Sequence, residues 1–364
     1  MRQLEGQLEN YIRLMWVKKG TDLLFAVNVP PMMRLDGDLK PIEGQGELTE
    51  EDVRGYLAQI LDAKQRIDMD QNLDVDFALS WQNVARLRGN AFYQRGLPSI
   101  SLRLIPHYIP TFDELRLPES VRRLAQLPQG LVLFTGPTGS GKSTTMASLI
   151  EWINEHRGGH IITIEDPIEY MHAKKKAVIS QREVGLDTPS FDRALRSALR
   201  EDPDVILVGE MRDPETIAIT LTLAETGHLV LSTLHTNDAA QTLDRIVDVF
   251  PTDRQAQTRL QLASVLEAVV AQRLVPLIRG GQTAAWEVLL GSHAVRNLVR
   301  EGKTRQLRNV MTMSIGDGMQ TLEMSLSELV RAGLITYEMA CEMAPRPDEV
   351  DAPPPPVLTQ PVRR

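Results

Sequence analysis

The sequence predicts an α/β protein in which a small α+β domain precedes a larger domain built around a mostly parallel sheet. From Leu131 onward, short apolar runs alternate with helix-like segments, the pattern of a parallel sheet covered on both faces. Before about residue 112, strand-like runs and helices occur without that alternation, as in small α+β domains. Between the first strand and helix of the larger domain, Gly136–Ser143 fits the phosphate-binding pattern G-x-x-x-x-G-K-[ST].

Length and composition exclude several classes of protein and of site. The 364 residues suffice for two domains, and the net charge of −8 disfavours a protein that binds nucleic acid through a basic surface. The single cysteine, Cys341, excludes a disulfide within the chain and a four-cysteine zinc site. No run approaches about 18 apolar residues, and Met1–Trp16 lacks the apolar segment of a secretory signal. We therefore expect a cytoplasmic protein without a transmembrane segment.

The first domain is expected to span residues 1–112. Its helices are predicted at Leu4–Lys18 and Glu50–Leu61, and its strands at Asp22–Val27, Met32–Leu35, Val75–Ser80, Val84–Tyr93 and Ile100–Ile105. His107–Pro118 contains three prolines and is predicted to be an ordered linker.

The second domain is expected to span residues 113–345. Strands are predicted at 131–135, 160–165, 204–208 and 228–233, with Thr283–Leu290 as a candidate late strand. Helices are predicted near 142–156, 190–200, 214–225, 238–249 and 253–274. Further helices at 292–301, 303–313, 321–332 and 336–343 suggest a C-terminal helical cap. Residues 346–364, with Pro353–Pro356 in a row, are expected to form a disordered tail with polyproline II character. A docking peptide in this tail is a less favoured alternative.

The phosphate-binding pattern lies between a strand and a helix, where such a loop functions. The glycines allow backbone N–H groups to turn inward, and the helix presents its positive N-terminus to the same phosphates. The candidate phosphate-binding residues are Gly136, Pro137, Thr138, Gly139, Ser140, Gly141, Lys142, Ser143 and Thr144. Lys142 is expected to reach the β- and γ-phosphates, and the Ser143 hydroxyl is expected to hold Mg²⁺. A glycine-rich turn that binds nothing is the disfavoured alternative.

Carboxylates follow two of the other predicted strands. Glu165, Asp166 and Glu169 come at or after the end of strand 160–165, and Glu210 follows the apolar strand 204–208. Ligands bind beyond the carboxyl ends of strands in an open α/β sheet, so these residues suit metal coordination and orientation of a water molecule. Glu210 resembles a Walker B carboxylate, with glutamate in place of the usual aspartate. Solvated acidic turns are the simpler alternative.

Histidines and arginines complete the set of candidates. His228 and His235 stand at the two ends of strand 228–233. Hydrogen-bonding roles, γ-phosphate sensing or an intersubunit relay fit them, whereas two histidines without a thiolate rarely form a metal site. Arg86, Arg88, Arg95 and Arg103 are candidates to reach the nucleotide of another subunit, because a guanidinium suits phosphate oxygens. Solvated strand faces explain most arginines equally well.

These motifs together resemble the secretion ATPases of type II secretion and type IV pili. The resemblance is carried by the phosphate loop, Ile164–Tyr170, Val208–Arg212 and the histidine-containing segment Gly227–Thr236. Ala294–Glu301 and Gly318–Leu322 further resemble the PilT-like retraction branch. Extension motors usually carry a four-cysteine zinc knuckle, which one cysteine cannot build.

The resemblance implies a PAS-like N-terminal domain, a RecA-like P-loop ATPase domain with the helical cap, and a homo-hexameric ring that hydrolyses ATP with Mg²⁺. It assigns the general base to Glu169, the Walker B role to Glu210, and γ-phosphate sensing to His228, His235, Arg88 and Arg103. Arg296 and Arg300 lie in the retraction motif Ala294–Glu301 and would couple ATP hydrolysis to mechanical work on the pilus. Gly96–Pro98 departs from the usual arginine-containing turn, which leaves the role of Arg95 open.

Such a motor powers pilus retraction and twitching motility from the cytoplasmic face of the inner membrane. It would act there as a peripheral protein on a PilC-like platform protein and would bind no nucleic acid. Alternatives are an extension or type II secretion ATPase, an accessory PilU-like factor, and a nucleotide-gated assembly subunit that does not hydrolyse ATP. A small-molecule kinase and a DNA-translocating ring are more remote.

Overall fold

The computed structural model describes residues 4–35, 37–81, 85–105 and 108–352. The chain divides into two compact units. The first consists of Met1–Tyr108 with Glu169–Met171, and the second consists of Ile109–Ile168 with His172–Arg364. The first unit thus ends at Tyr108, four residues before the predicted boundary at 112, and it includes three residues of the acidic segment.

The first unit is the predicted mixture of helices and strands. Its elements are α1 (Gly6–Val17), β1 (Asp22–Ala26), β2 (Met32–Leu35), β3 (Asp38–Pro41), α2 (Glu50–Ile60), α3 (Ala63–Asn72), β4 (Asp74–Trp81), β5 (Ala85–Gln94) and β6 (Leu97–Ile105). The described strands form an antiparallel sheet in the order β3-β2-β1-β6-β5-β4. Leu8, Tyr11, Ile12 and Met15 line the buried face of α1 at helical spacing, which explains why this helix covers a core.

Helix α3 and strand β3 were not predicted. Helix α3 is largely polar, and Met69 is its one buried residue. A capping box defines its start, because the Asp62 carboxylate accepts from the Gln65 N–H at 2.8 Å and the Gln65 amide oxygen accepts from the Asp62 N–H at 2.9 Å. A pattern of apolar residues does not reveal a helix of this kind.

The second unit contains the predicted alternation of strands and helices. Its elements are α4 (Glu119–Arg122), β7 (Gly130–Thr135), α5 (Lys142–His156), β8 (His160–Glu165), β9 (Val178–Glu183), α6 (Phe191–Ala198), β10 (Val205–Val208), α7 (Pro214–Glu225), β11 (Leu229–Leu234), α8 (Ala239–Asp248), α9 (Thr252–Val265), β12 (Leu266–Pro276), β13 (Gln282–Leu290), α10 (His293–Arg300), α11 (Leu307–Met313), α12 (Leu322–Arg331) and α13 (Tyr337–Met343).

The sheet of the second unit follows the order β13-β12-β7-β11-β10-β8-β9 within the described residues. All neighbouring pairs are parallel except β12 and β13. Every residue of β7, β10 and β11 is buried, because helices cover both faces of the sheet. The carboxyl ends of these strands therefore meet at one edge, where the predicted site residues follow them.

The predicted helix 253–274 is wrong in its second half. Helix α9 ends at Val265, and Leu266–Pro276 is β12, which pairs with β7 on one side and β13 on the other. The segment is apolar and partly β-branched, so it fits a strand buried between two neighbours. Strand β9 was not predicted either. The late strand near 283–290 and the four helices of the C-terminal cap are confirmed.

The predicted tail begins too early. Val350 is 5% exposed and packs with Leu326 and Ile335 in the core of the cap. Arg331 pairs with Asp351 at 2.8 Å, which fixes the same segment to α12. The packed part of the chain thus extends past residue 346, and the predicted disorder at Pro353–Pro356 lies outside the described residues. No helix in the described ranges is both long and apolar enough to span a membrane.

Candidate nucleotide-binding site

The loop between β7 and α5 requires glycine at two positions that contact β12. Gly136 has a φ of 141°, and a Cβ there would lie 2.3 Å from the backbone oxygen of Gln272. Gly141 has a φ of 88°, and a Cβ there would lie 2.7 Å from Nε2 in the side chain of the same residue, Gln272. The left-handed backbone disfavours larger residues at both positions, and the contact with backbone excludes them at Gly136 as well. The loop therefore packs tightly against β12 and leads directly into α5.

Lys142 is buried inside this loop. Its Nζ donates to the carbonyl oxygens of Gly136 at 2.7 Å and Pro137 at 3.0 Å. Ser140 Oγ is buried and has no hydrogen-bond partner among the described residues. Gly141 precedes α5 without a side-chain cap, so the positive N-terminal end of the helix faces this loop. These features fit a phosphate group; Ser143 and Thr144 lie in the first turn of α5, as predicted.

Three threonines join the ends of β7 and β11. Thr135 Oγ1 donates to the Thr236 carbonyl oxygen at 2.6 Å, and the Thr236 N–H donates back to Thr135 Oγ1 at 3.1 Å. The Thr236 hydroxyl also contacts Thr242 Oγ1 of α8 at 2.7 Å. Because Thr135 immediately precedes Gly136, these bonds fix the residues after β11 beside the phosphate loop.

Glu210 and His235 meet beyond the ends of β10 and β11. His235 Nε2 lies 3.3 Å from Glu210 Oε1, and Arg212 Nη2 lies 2.7 Å from Glu210 Oε2. Burial acts to raise the pKa of Glu210, but the hydrogen bond from Arg212 and the positive charges of His235 and Arg212 outweigh it and lower the pKa. The carboxylate is therefore ionised at neutral pH. A cavity of about 490 Å³, lined by Glu210, His235 and Arg245 among others, opens beside this pair.

The acidic segment lies where the sequence predicts it, at the carboxyl end of β8. Glu165 is the last residue of β8, and its Oε1 accepts a hydrogen bond from Thr163 Oγ1 at 2.7 Å. Asp166 and Glu169 are exposed. Glu169 is part of the short segment that groups with the first unit.

His228 does not lie near the phosphate loop. It precedes β11, and its Nδ1 donates to the Leu223 carbonyl oxygen at 2.8 Å. Its own carbonyl accepts from the Gly130 N–H at 3.0 Å, at the start of β7. The seven positions from His228 to His235 correspond to roughly 20 Å of strand. Within its own chain, His228 therefore lies at the opposite end of β11 from His235, and of its two predicted functional roles the intersubunit relay stays a prediction.

Arg88 and Arg103 are direct cross-strand partners in the first unit. Both are exposed, and Arg103 Nε donates to Asp22 Oδ1 at 2.7 Å. Two like charges directly opposite each other repel, and the Asp22 carboxylate offsets part of that repulsion at Arg103. Arg95 lies elsewhere, in the two-residue turn between β5 and β6, with a φ of 51°.

Arg296 connects three backbone segments of the second unit. Its guanidinium donates to the carbonyl oxygens of Gly291 at 2.7 Å and Ser264 at 2.5 Å, and it pairs with Glu267 at 2.6 Å. Arg300, one turn further along α10, is exposed and donates to Asn297 Oδ1 at 3.3 Å. The two arginines of the predicted coupling motif thus differ: Arg296 is built into the fold, and Arg300 faces outward.

Sequence reasoning missed Gln272 and Glu287. Gln272 is 3% exposed, and its Oε1 accepts from Thr145 Oγ1 at 2.9 Å, which joins β12 to the first turn of α5. Glu287 Oε1 accepts from the Ala239 N–H at 2.8 Å, at the start of α8. Leu266–Pro276 is an apolar run that fits a buried helix nearly as well as a buried strand, so the sequence does not reveal that Gln272 faces the loop.

The chain is similar to characterised pilus proteins over most of its length. It is 48% identical over 328 residues to the type IV pilus retraction ATPase PilT of Pseudomonas aeruginosa, covering 90% of this chain and 95% of that protein. It is 44% identical over 335 residues to the type IV pilus ATPase PilU of the same organism, covering 92% and 87%. A crystal structure of the pilus retraction motor PilT with bound ADP superposes with a TM-score of 0.89 at 45% identity, covering 95% of this chain and 99% of that one.

The profile of the family described as "Type II/IV secretion system protein" matches residues 66–324. These similarities confirm the predicted fold, a PAS-like α+β domain followed by a RecA-like P-loop domain with a helical cap. The chain belongs to the type II/IV secretion system protein family, the secretion ATPases that its motifs resemble.

Proposed function

We propose that this protein is an ATPase motor that drives type IV pilus retraction. The observation that carries the proposal is the conjunction of the phosphate loop with the Glu210–His235 pair at one edge of the sheet. Similarity to the retraction ATPase PilT over 90% of the chain supports retraction of the pilus rather than its extension. The accessory role is the second candidate, because the chain is also 44% identical to PilU.

The proposed roles follow from the chemistry of each residue. The backbone of residues 136–144 and the Lys142 ammonium bind the phosphates. Glu169 orients and deprotonates the attacking water, Glu210 is the Walker B carboxylate, and His235 senses the state of the γ-phosphate through its contact with Glu210. Arg88 and Arg103 supply positive charge to the transferring phosphoryl group.

Mg²⁺ is the proposed metal. The Ser143 hydroxyl and the Glu210 carboxylate, directly or through water, provide the oxygen ligands that this cation prefers. Bound there with ATP, it would neutralise charge that develops on the phosphates. Phosphoryl transfer depends mainly on positioning and electrostatics, so the loop and these side chains account for the chemistry that a hydrolase needs.

Assembly and coupling complete the proposal. A homo-hexamer would place Arg88 and Arg103 of one subunit at the nucleotide of the next. Hydrolysis would rotate the N-terminal domain against the ATPase domain. Arg296 and Arg300 would couple that rotation to pilus retraction. The ring would act on a PilC-like platform protein at the cytoplasmic face of the inner membrane, as a peripheral protein that binds no nucleic acid.

Deletion of the gene in its host tests whether the motor retracts or extends the pilus. Loss of a retraction motor leaves cells with excess pili and no twitching motility, and complementation with the wild-type chain restores motility. Cells without pili would instead indicate an extension motor. Normal pilus number together with reduced pulling force would favour an accessory, PilU-like role.

A further inference from the structure

The acidic segment after β8 is attached to the second unit at both ends. On its amino side, Ile168 is 1% exposed, and its N–H donates to Glu183 Oε2 at 3.3 Å. On its carboxyl side, the His172 N–H donates to Gln181 Oε1 at 3.0 Å. Gln181 and Glu183 lie two residues apart on β9 and so point to the same side of that strand. The three residues between these attachment points, Glu169–Met171, therefore form a short span with fixed ends.

The His172 side chain makes the strongest of these attachments. It is 3% exposed, and its Nδ1 donates to Glu151 Oε2 at 2.7 Å. The other oxygen of Glu151 pairs with Lys175 at 2.5 Å. Burial acts to raise the pKa of Glu151, but the hydrogen bonds from His172 and Lys175 outweigh it and lower the pKa to about 2. Glu151 is therefore ionised across the neutral range, so the imidazole has a charged acceptor, and such bonds are stronger than neutral ones.

Glu151 belongs to α5, the helix that begins at Lys142 in the phosphate loop. The chain after His172 continues along the same helix, because Asn154 Nδ2 donates to the Ala173 carbonyl at 2.8 Å and the Lys176 N–H donates to the Asn154 carbonyl at 2.9 Å. A helix is stiff, and nine residues of it span roughly 14 Å. The acidic segment is thus fixed to the same rigid element that binds the phosphates.

We propose that His172 is a positioning residue for ATP hydrolysis. Its bond to Glu151 fixes the carboxyl end of the acidic segment on α5 and thereby holds Glu169 where it acts on the attacking water. This inference rests on the proposed function, in which Glu169 is the base. Misplacing a catalytic group by about 1 Å costs up to roughly hundredfold in rate. Phosphate binding depends on other residues, so loss of the bond reduces turnover and spares affinity.

Three variants of the full-length protein test this role. His172→Ala removes the donor, whereas His172→Asn retains an N–H group close to the position of Nδ1. His160→Ala is the control, because the His160 ring also makes hydrogen bonds, to the Glu201 carbonyl oxygen at 3.0 Å and Ser180 Oγ at 2.9 Å, but lies at the amino end of β8. Turnover of MgATP, affinity for a fluorescent ATP analogue and the melting temperature are measured for each.

We expect His172→Ala to lower kcat by roughly ten- to hundredfold while the analogue Kd changes by less than about twofold. His172→Asn should recover most of the loss, and His160→Ala should leave kcat unchanged. Unchanged kcat in His172→Ala overturns the inference. A parallel fall in kcat, affinity and melting temperature without recovery in His172→Asn also overturns it, since that pattern indicates a purely structural histidine.

If the alanine variant does not fold, Glu151→Gln tests the same contact from α5. Lower kcat with unchanged analogue affinity supports the positioning role, and unchanged kcat contradicts it. Failure of the proposed function is recognised separately, because the wild-type protein would then hydrolyse no ATP.

Discussion

The amide oxygen of Gln272 accepts a hydrogen bond of 2.9 Å from Thr145 Oγ1, although 127 positions separate the two residues in the chain. The contact fastens the first turn of α5 to β12, and the same glutamine lies against Gly136 and Gly141. The shape of the phosphate loop thus depends on a strand that comes after the recognised nucleotide motifs.

Gln272→Ala should weaken nucleotide binding. It removes the buried acceptor of Thr145 and leaves space beneath the loop, which should cost about 1–3 kcal/mol in stability. We expect a several-fold higher Kd for ATP, measured by titration with a fluorescent analogue. Thr145→Val breaks the same bond from the other side, and the double variant should be little worse than either single one. Full additivity would mean that the two residues act independently.

Arg88 and Arg103 should act on the nucleotide of a neighbouring subunit. Each change to alanine should lower kcat by about 10³-fold, the smaller end of the range for an arginine at a transferring phosphate. Specific activity of the wild type should rise with protein concentration as rings assemble.

A mixing experiment separates action in trans from action in cis. Arg88→Ala chains mixed with Lys142→Ala chains should regain activity, because the second variant supplies intact arginines to the nucleotides of the first. No recovery on mixing would contradict the arrangement in trans. Arg95→Ala, at the tip of the β5–β6 turn, is the control and should leave turnover near that of the wild type.

Glu287 should destabilise the protein as the pH rises toward neutrality. Burial, together with the negative charges of Asp238 and Glu323, raises its pKa to about 7, although the Ala239 N–H opposes the shift. The unfolded chain ionises this group near pH 4.3, while the folded protein keeps it protonated until about pH 7. Stability is therefore lost progressively between these values, by up to about 4 kcal/mol.

Glu287→Gln retains an acceptor for Ala239 and removes the ionisation. In urea unfolding, its stability relative to the wild type should increase from pH 5 to pH 7 and level off above that. Glu342→Gln, an exposed position on α13, should give a flat difference and serves as the control. A flat difference for Glu287→Gln as well would show that the carboxyl group is not held protonated.

Arg296→Ala should abolish pilus retraction while leaving ATP affinity nearly unchanged. Because the guanidinium bonds to Gly291, Ser264 and Glu267, the variant should also lose about 1–3 kcal/mol of stability. Arg300→Ala separates the two effects, since Arg300 is exposed and should affect twitching without affecting stability. Loss of ATP binding in Arg296→Ala would assign this arginine a structural role alone.

The sequence was sufficient to predict the elements that repeat a short local pattern. Apolar runs followed by helices gave β7, β8, β10 and β11, and the motif at Gly136–Ser143 gave the phosphate loop. Contacts between distant residues were not accessible in this way. The role of Gln272 depends on which strand pairs with β7, and the composition of Leu266–Pro276 suits a buried helix nearly as well as a buried strand.

His228 shows a second limit. Its position in a motif with His235 suggested a shared function, but the two residues stand at opposite ends of a strand. The rule that ligands bind beyond the carboxyl ends of strands already separates the two histidines, because His228 precedes the strand and His235 follows it. Glu210 and His235, by contrast, both follow the carboxyl ends of strands, where the rule for parallel sheets predicts a site, and the structure adds their direct contact.

Steady-state hydrolysis of MgATP by the assembled protein, with wild type and Glu169→Gln compared at equal nucleotide saturation, tests the central claim most directly. The wild type should turn over ATP, and Glu169→Gln should bind the nucleotide with similar affinity yet hydrolyse it at least about a hundredfold more slowly. Equal turnover in the two proteins, or no hydrolysis by the wild type at any concentration, would contradict the account.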